Sequence, residues 1–151
     1  MIVLDTNVLS ALMQSQQEAS VVDWLDQQPV ESIGTTAINV FEIRYGLHQL
    51  AHGKRRRALE EAFTALLDED LEGRVLAFDT AAADHAARLA GERRRKGRPV
   101  DMRDTQIAGI CEARNATLAT RNTRHFEDIR TPVVNPWNEP LKLLDQMKAS
   151  G

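Results

Sequence analysis

Apolar and polar positions along this chain switch repeatedly between short continuous runs and a helical period. Met1 to Leu4 is an uninterrupted apolar run that ends on Asp5, which predicts a first strand over 2–5. A short helix is expected from about Asn7, and another from about Ala19 to Gln28, stopped by Pro29. Ser32 to Ala37 reads as a second strand, with Thr35 and Thr36 favouring the extended state. From Ile38 the period changes: Val40, Ile43, Leu47 and Leu50 fall on one helical face. Gly53 punctuates, and residues 54–67 predict a further helix with Leu59, Phe63, Leu66 and Leu67 inward. Val75 to Phe78 predicts a third strand, after which Asp79 caps a long helix reaching about Lys96. Gly97-Arg98-Pro99 is a turn, and Asp101 opens a helix to about Arg114. Thr117 to Thr120 and Val133-Val134 complete the strands.

Alternating strand and helix signals are the pattern of a parallel sheet with helices on its faces. The expected class is α/β, with a mainly parallel sheet of four to five strands. Neither a repeat nor a linker interrupts the pattern, so one domain is expected over 1–137, followed by a polar tail over 138–151. A chain of 151 residues can bury a proper core without staples. The single cysteine, Cys111, excludes an internal disulfide and a cysteine-based zinc cage. Lying in Ile107-Ala108-Gly109-Ile110-Cys111, it reads as a small buried hydrophobe. No apolar run approaches the roughly 20 residues of a membrane span, and no signal-peptide pattern opens the chain. A cytoplasmic protein without membrane attachment is expected.

Net charge is −3, yet positive charge is clustered in Lys54-Arg55-Arg56-Arg57 and in Arg93-Arg94-Arg95-Lys96-Gly97-Arg98. Such blocks either attract a polyanion locally or are solvated helix ends that suit the macrodipole. The carboxylates carry more information. Asp5 ends the first strand, Glu42 lies in the largely apolar run 37–43, and Asp104 sits in the first turn of a later helix. Three acids from separate αβ units can converge at one sheet edge, as binding a polyvalent cation requires. Each also has a plainer role open to it. Asp5 could cap the next helix, Glu42 could face water beside Arg44 or His48, and Asp104 could be a favourable first-turn charge. For Asp101, three residues before Asp104, capping is the preferred role.

Ordered motifs narrow the choice. The opening through Asp5-Thr6-Asn7-Val8-Leu9-Ser10 resembles that of PIN-domain nucleases, especially the VapC/FitB-like toxins of bacterial toxin–antitoxin pairs. Asn39-Val40-Phe41-Glu42-Ile43-Arg44-Tyr45-Gly46 follows in the same order, then Gly97-Arg98-Pro99-Val100 with Asp104-Thr105-Gln106-Ile107-Ala108. Ala116-Thr117-Leu118-Ala119-Thr120-Arg121-Asn122 and Val134-Asn135-Pro136-Trp137 are similar to that group as well, so the resemblance spans residues 1 to about 137.

The resemblance implies a three-layer α/β/α fold and a metal-dependent ribonuclease, expected to be endonucleolytic. Asp5, Glu42 and Asp104 match the family's acidic positions, and the fourth, frequently Asp, falls on Asn122. By this likeness Asp5, Glu42, Asp104 and Asn122 form the catalytic set, with the three acids holding Mg2+ or Mn2+. Asn122 offers a carbonyl oxygen, so the set loses a charge rather than a ligand. Asp101 matches no acidic position, and His125, where relatives often have Asp, reads as a surface or substrate-contacting residue. Water activated on the metal would leave a 5′-phosphate and a 3′-hydroxyl. The Thr6 and Thr120 hydroxyls are candidates for positioning substrate, a turn or cap role being equally open. Arg93, Arg94, Arg95, Lys96 and Arg98 are candidates for RNA phosphate contacts.

A homodimer, a cognate antitoxin and operator DNA are the implied partners, beside RNA. The rival expectation is a catalytically weakened PIN fold that only binds RNA or antitoxin. A phosphatase or receiver-like α/β domain fits less well, because Asp5-Thr6-Asn7 lacks a second nearby Asp and no suitable strand-end Lys follows.

Overall fold

The computed structural model describes residues 1–138. Five strands form one parallel sheet: β1 (Ile2–Leu4), β2 (Ile33–Thr36), β3 (Val75–Leu76), β4 (Thr117–Ala119) and β5 (Val133–Val134). Six α-helices connect them: α1 (Thr6–Met13), α2 (Ala19–Asp26), α3 (Ala37–Gln49), α4 (Lys54–Ala65), α5 (Thr80–Arg95) and α6 (Met102–Arg114). The expected polar tail lies, apart from residue 138, outside the described residues. Among the described residues no helix is long and apolar enough to cross a membrane.

Period-two alternation in β1 explains the three layers. Ile2 and Leu4 pack into one apolar core with Val8, Val21, Ile43 and Phe63, from α1, α2, α3 and α4. Val3 points the other way, into a second core with Leu89 of α5 and Ile107, Ala108 and Cys111 of α6. The helices before β3 therefore supply one face of the sheet, and α5 with α6 supplies the other. Burial pushes the Cys111 thiol up to about 12, so it behaves as the inert hydrophobe expected.

Local chemistry sets the helix ends. Asp79 accepts from the Ala82 amide and Asp101 from the Asp104 amide, both at 3.0 Å, so both expected caps form. After α5, Gly97 takes φ +70°; its amide bonds to the Arg94 carbonyl and that of Arg98 to the Arg93 carbonyl. That paired closure favours glycine at its left-handed position.

Several elements differ from expectation by a residue or two at their ends, and two of the differences have a local cause. The third strand stops at Leu76 rather than Phe78, because β2, its only partner among the described residues, ends where Thr36 pairs with Leu76. The helix over 54–67 continues through a π-helical turn, Leu66–Asp70, in which the Leu71 amide reaches the Leu66 carbonyl.

The strand order β3-β2-β1-β4-β5 locates a site before any side chain is considered. From β1 the chain builds outward through β2 to β3, then returns to β1's other side with β4 and β5. Ligands in open α/β sheets bind beyond the carboxyl ends of the strands at such a reversal. Here it lies between β1, followed by Asp5, and β4, followed by Thr120.

Candidate active site

Asp5 stands where β1 hands over to α1, and it is only 5% exposed. Its Oδ1 accepts from the Thr6 amide at 2.8 Å and from Asn39 Nδ2 at 2.9 Å, while Oδ2 accepts from Thr120 Oγ1 at 2.7 Å. A carboxylate offers about four acceptor positions. Three are filled by protein, and the remaining one is on Oδ2. Asp5 is thus both a helix cap and a carboxylate with one acceptor position to spare.

Its supports are equally well held. Asn39 is fully buried on α3, accepting from Thr36 Oγ1 at 2.6 Å and donating also to Thr6 Oγ1 at 3.0 Å. Asn7 crosses from α1 to the end of β4, donating to Thr120 Oγ1 at 3.2 Å and accepting from the Arg121 amide at 3.0 Å. Thr120 Oγ1 accepts in addition from the Asn122 amide at 3.1 Å. Its proton and acceptor positions are therefore all taken. This corrects the expectation that Thr120 positions substrate: its hydroxyl holds Asp5 instead. Thr6 keeps a hydroxyl proton engaged by no described acceptor.

Glu42 and Asp104 complete the acidic group. Glu42 is half-buried on α3, with Arg103 of α6 4.0 Å from its Oε2. Burial raises its carboxyl above the ordinary range, Arg103 opposes the rise, and the charges of Asp5, Asp104 and Asp101 add to it. Asp104, one turn into α6, is raised by burial and then by Asp101, opposed by a 3.1 Å contact with His125 Nδ1, and raised further by Asp5. The three acids named from the sequence thus share one electrostatic environment, and two resist ionising within it. Asp101 belongs to that environment while acting as the α6 cap.

The donor set, hard carboxylate oxygens, fits Mg2+ or Mn2+ better than a thiophilic metal. Among the described residues no three His, Cys, Asp or Glu side chains close on a single point. Asn122 lies at the rim, exposed, its side chain free of hydrogen bonds among the described residues.

The basic block divides. Arg94, Arg95 and Lys96 are exposed at the end of α5. Arg93 is 4% exposed and grips Asp128 through Nε at 2.9 Å and Nη2 at 2.8 Å, while donating to the His125 carbonyl at 2.7 Å. This corrects its expected role as an RNA contact, because every direction of its guanidinium fork that is described points into protein. The sequence carried a sign of it: Arg93 continues the buried stripe Ala82, Ala86, Leu89 along α5. Asn39 went unrecognised for the same reason, on the stripe it shares with Ile43 and Leu47.

The PIN domain family model matches residues 2–131. The chain belongs to the PIN-domain family, in its VapC/FitB-like group. It is 36% identical over 137 residues to a VapC ribonuclease, Y4jK, of Sinorhizobium fredii, covering 91% of this chain and 98% of that one. Toxin FitB of Neisseria gonorrhoeae is 34% identical over 139 residues, covering 92% and 100%. A solved structure of FitAB bound to an IR36 DNA fragment superposes with a TM-score of 0.81 at 34% identity, covering 91% of this chain and 96% of that one. The PIN fold thus accounts for the parallel sheet and the helices that flank it.

Proposed function

We propose that this PIN domain is the ribonuclease toxin of a type II toxin–antitoxin pair, cutting RNA internally with Mg2+ or Mn2+. The observation that carries the reading is the shared electrostatic environment of Asp5, Glu42 and Asp104, which stand after β1, on α3 and on α6 near the sheet's reversal point. The likeness to a VapC ribonuclease and to toxin FitB supports the same chemistry.

In this reading Asp5, Glu42 and Asp104 hold the ion, with Asn122 adding a neutral oxygen at the rim. When bound, the ion would lower the pKa of water and offset charge gathering on the phosphate. Thr120, Asn39 and the Thr6 amide fix the Asp5 carboxylate before any ligand arrives, so little reorganisation is required of it. The unengaged Thr6 hydroxyl proton is available to an oxygen of substrate or water. Hydrolysis by water leaves 5′-phosphate and 3′-hydroxyl ends. By likeness to the DNA-bound FitAB assembly, the proposed partners are a cognate antitoxin and operator DNA, with the toxin a homodimer in the cytoplasm.

Total RNA incubated with the purified chain should be cut only with Mg2+ or Mn2+, and Asp5→Asn should abolish cutting while retaining the wild-type circular dichroism spectrum. Undiminished cutting by a folded Asp5→Asn chain would sink the assignment. RNA binding by the wild type with no metal-dependent cutting would instead favour a binding module, the reading that the neutral Asn122 supports.

A further inference from the structure

A recess of about 220 Å³ opens beside the acidic group, lined by Arg93, Arg98, Pro99, Asp101, Asp104 and His125, with Arg124 completing its wall. It shares Asp104 with the candidate site, so whatever occupies it lies next to the reacting groups. Its cations are not equivalent. Arg93 is locked onto Asp128 and the His125 carbonyl, which pins the 3₁₀ turn Thr123–Phe126 against the end of α5. Arg98, presented by the turn at Gly97, lies 3.4 Å from Asp128 and is partly exposed. Arg124 is exposed and makes no ion pair or hydrogen bond among the described residues.

We propose that this recess binds a backbone phosphate of the RNA strand adjacent to the scissile one, held by Arg124 with help from Arg98. The proposal rests on the ribonuclease reading above. No Phe, Tyr or Trp lines the recess; its one aromatic ring is the His125 imidazole, which contacts Asp104 through Nδ1 at 3.1 Å. What the recess offers is guanidinium, whose planar donors suit phosphate oxygens. Asp101 and Asp104 oppose an anion there while uncompensated. With a divalent cation held at Asp104 that opposition falls, and Arg98 and Arg124 then decide the local sign. Phosphate occupancy would thereby depend on an assembled acidic site, placing the strand only when the chemistry is ready. Arg124 is a positioning residue in this scheme.

The test compares Arg124→Ala, Arg124→Lys and Arg98→Ala with Arg114→Ala, a surface cation paired with Asp79 at the far end of α6. Cleavage kinetics use a single-stranded RNA oligonucleotide that the wild type cuts. Binding is read by fluorescence anisotropy in Mg2+, with the acidic site intact and a cleavage-resistant analogue of that oligonucleotide, across a range of salt. Arg124→Ala should raise KM severalfold with kcat little changed, and flatten the slope of log affinity against log salt by about 0.7, the value for one single-strand phosphate contact. Arg124→Lys should restore the slope, Arg98→Ala should weaken binding less, and Arg114→Ala should change neither quantity. A wild type that cuts RNA while Arg124→Ala keeps its KM and salt slope overturns this proposal alone. A wild type that cuts no RNA overturns it together with the ribonuclease reading.

Discussion

At the scale of single residues, the site is a contrast between one carboxylate prepared by its neighbours and one amide whose side chain makes no hydrogen bond among the described residues. Asp5 receives hydrogen bonds from three groups on three segments, whereas the Asn122 side chain receives nothing among the described residues. Replacing Asn122 therefore disturbs no described contact, and Asn122→Asp should add a fourth negative donor at little structural cost. Calorimetric titration with Mn2+ should show binding tighter by about an order of magnitude, since ligand charge count tunes such affinities. Equal or weaker binding would mean that Asn122 does not face the ion. Asp5, Glu42 and Asp104 could be singled out in the sequence as candidates, because a carboxylate at a strand end or in an apolar run stands out and the three fall on the acidic positions of the family it resembles. Asn39, Thr36 and Asn7 were not, because their value lies in which atom meets Asp5 or Thr120 across the fold. The basic block at 93–98 shows the same limit: a run of like residues hides that Arg93 turns inward to Asp128.

At the scale of elements, α5 and α6 pack closely together and present Asp104 and the neighbouring recess. Gly109 lets them approach: a Cβ there would come within 2.5 Å of the Ala82 carbonyl oxygen and 2.7 Å of Ala86 Cβ. Gly109→Ala should cost about 1–3 kcal/mol, the usual range for overpacking, read as a lower urea midpoint with an unchanged slope. No loss of stability would show that the helices can part freely. Glu112 ties the same pair together. Its buried carboxylate meets Arg88, His85 Nδ1 at 3.1 Å and the Arg130 amide at 3.0 Å. Burial works against its ionisation, but the Arg130 amide, Arg88 and His85 together outweigh that and leave its pKa below the ordinary carboxylate value. The folded state therefore holds the proton less readily than the unfolded one. The resulting stability is present above the unfolded pKa and is lost as pH falls through the lower folded value. Stability measured by urea denaturation should decline from pH 6 toward pH 3, and Glu112→Gln should flatten that decline while lowering stability at pH 6. An equally steep decline in the variant would assign the acid lability to other groups.

At the scale of the whole molecule, the alternation of strand and helix signals disclosed the α/β class, and the parallel sheet follows from it. Strand order was beyond reach from periodicity alone, because it depends on which apolar faces meet after the chain has turned back. That order is what makes the site. β1 lies in the middle of the sheet, paired with β2 on one side and with β4 on the other, where Ile2 aligns with Thr117. Asp5 is held by Asn39 on one flank and by Thr120 on the other, 115 positions along the chain. A ribosome delivers the chain from its N-terminus, so the first acid emerges long before the hydroxyl that orients it. A nascent chain short of Thr120 lacks both the strand that flanks Asp5 and the group that aims its carboxylate. The geometry thus delays the assembled site until most of the domain has been translated, and an unfinished copy carries an Asp5 that Thr120 does not yet orient.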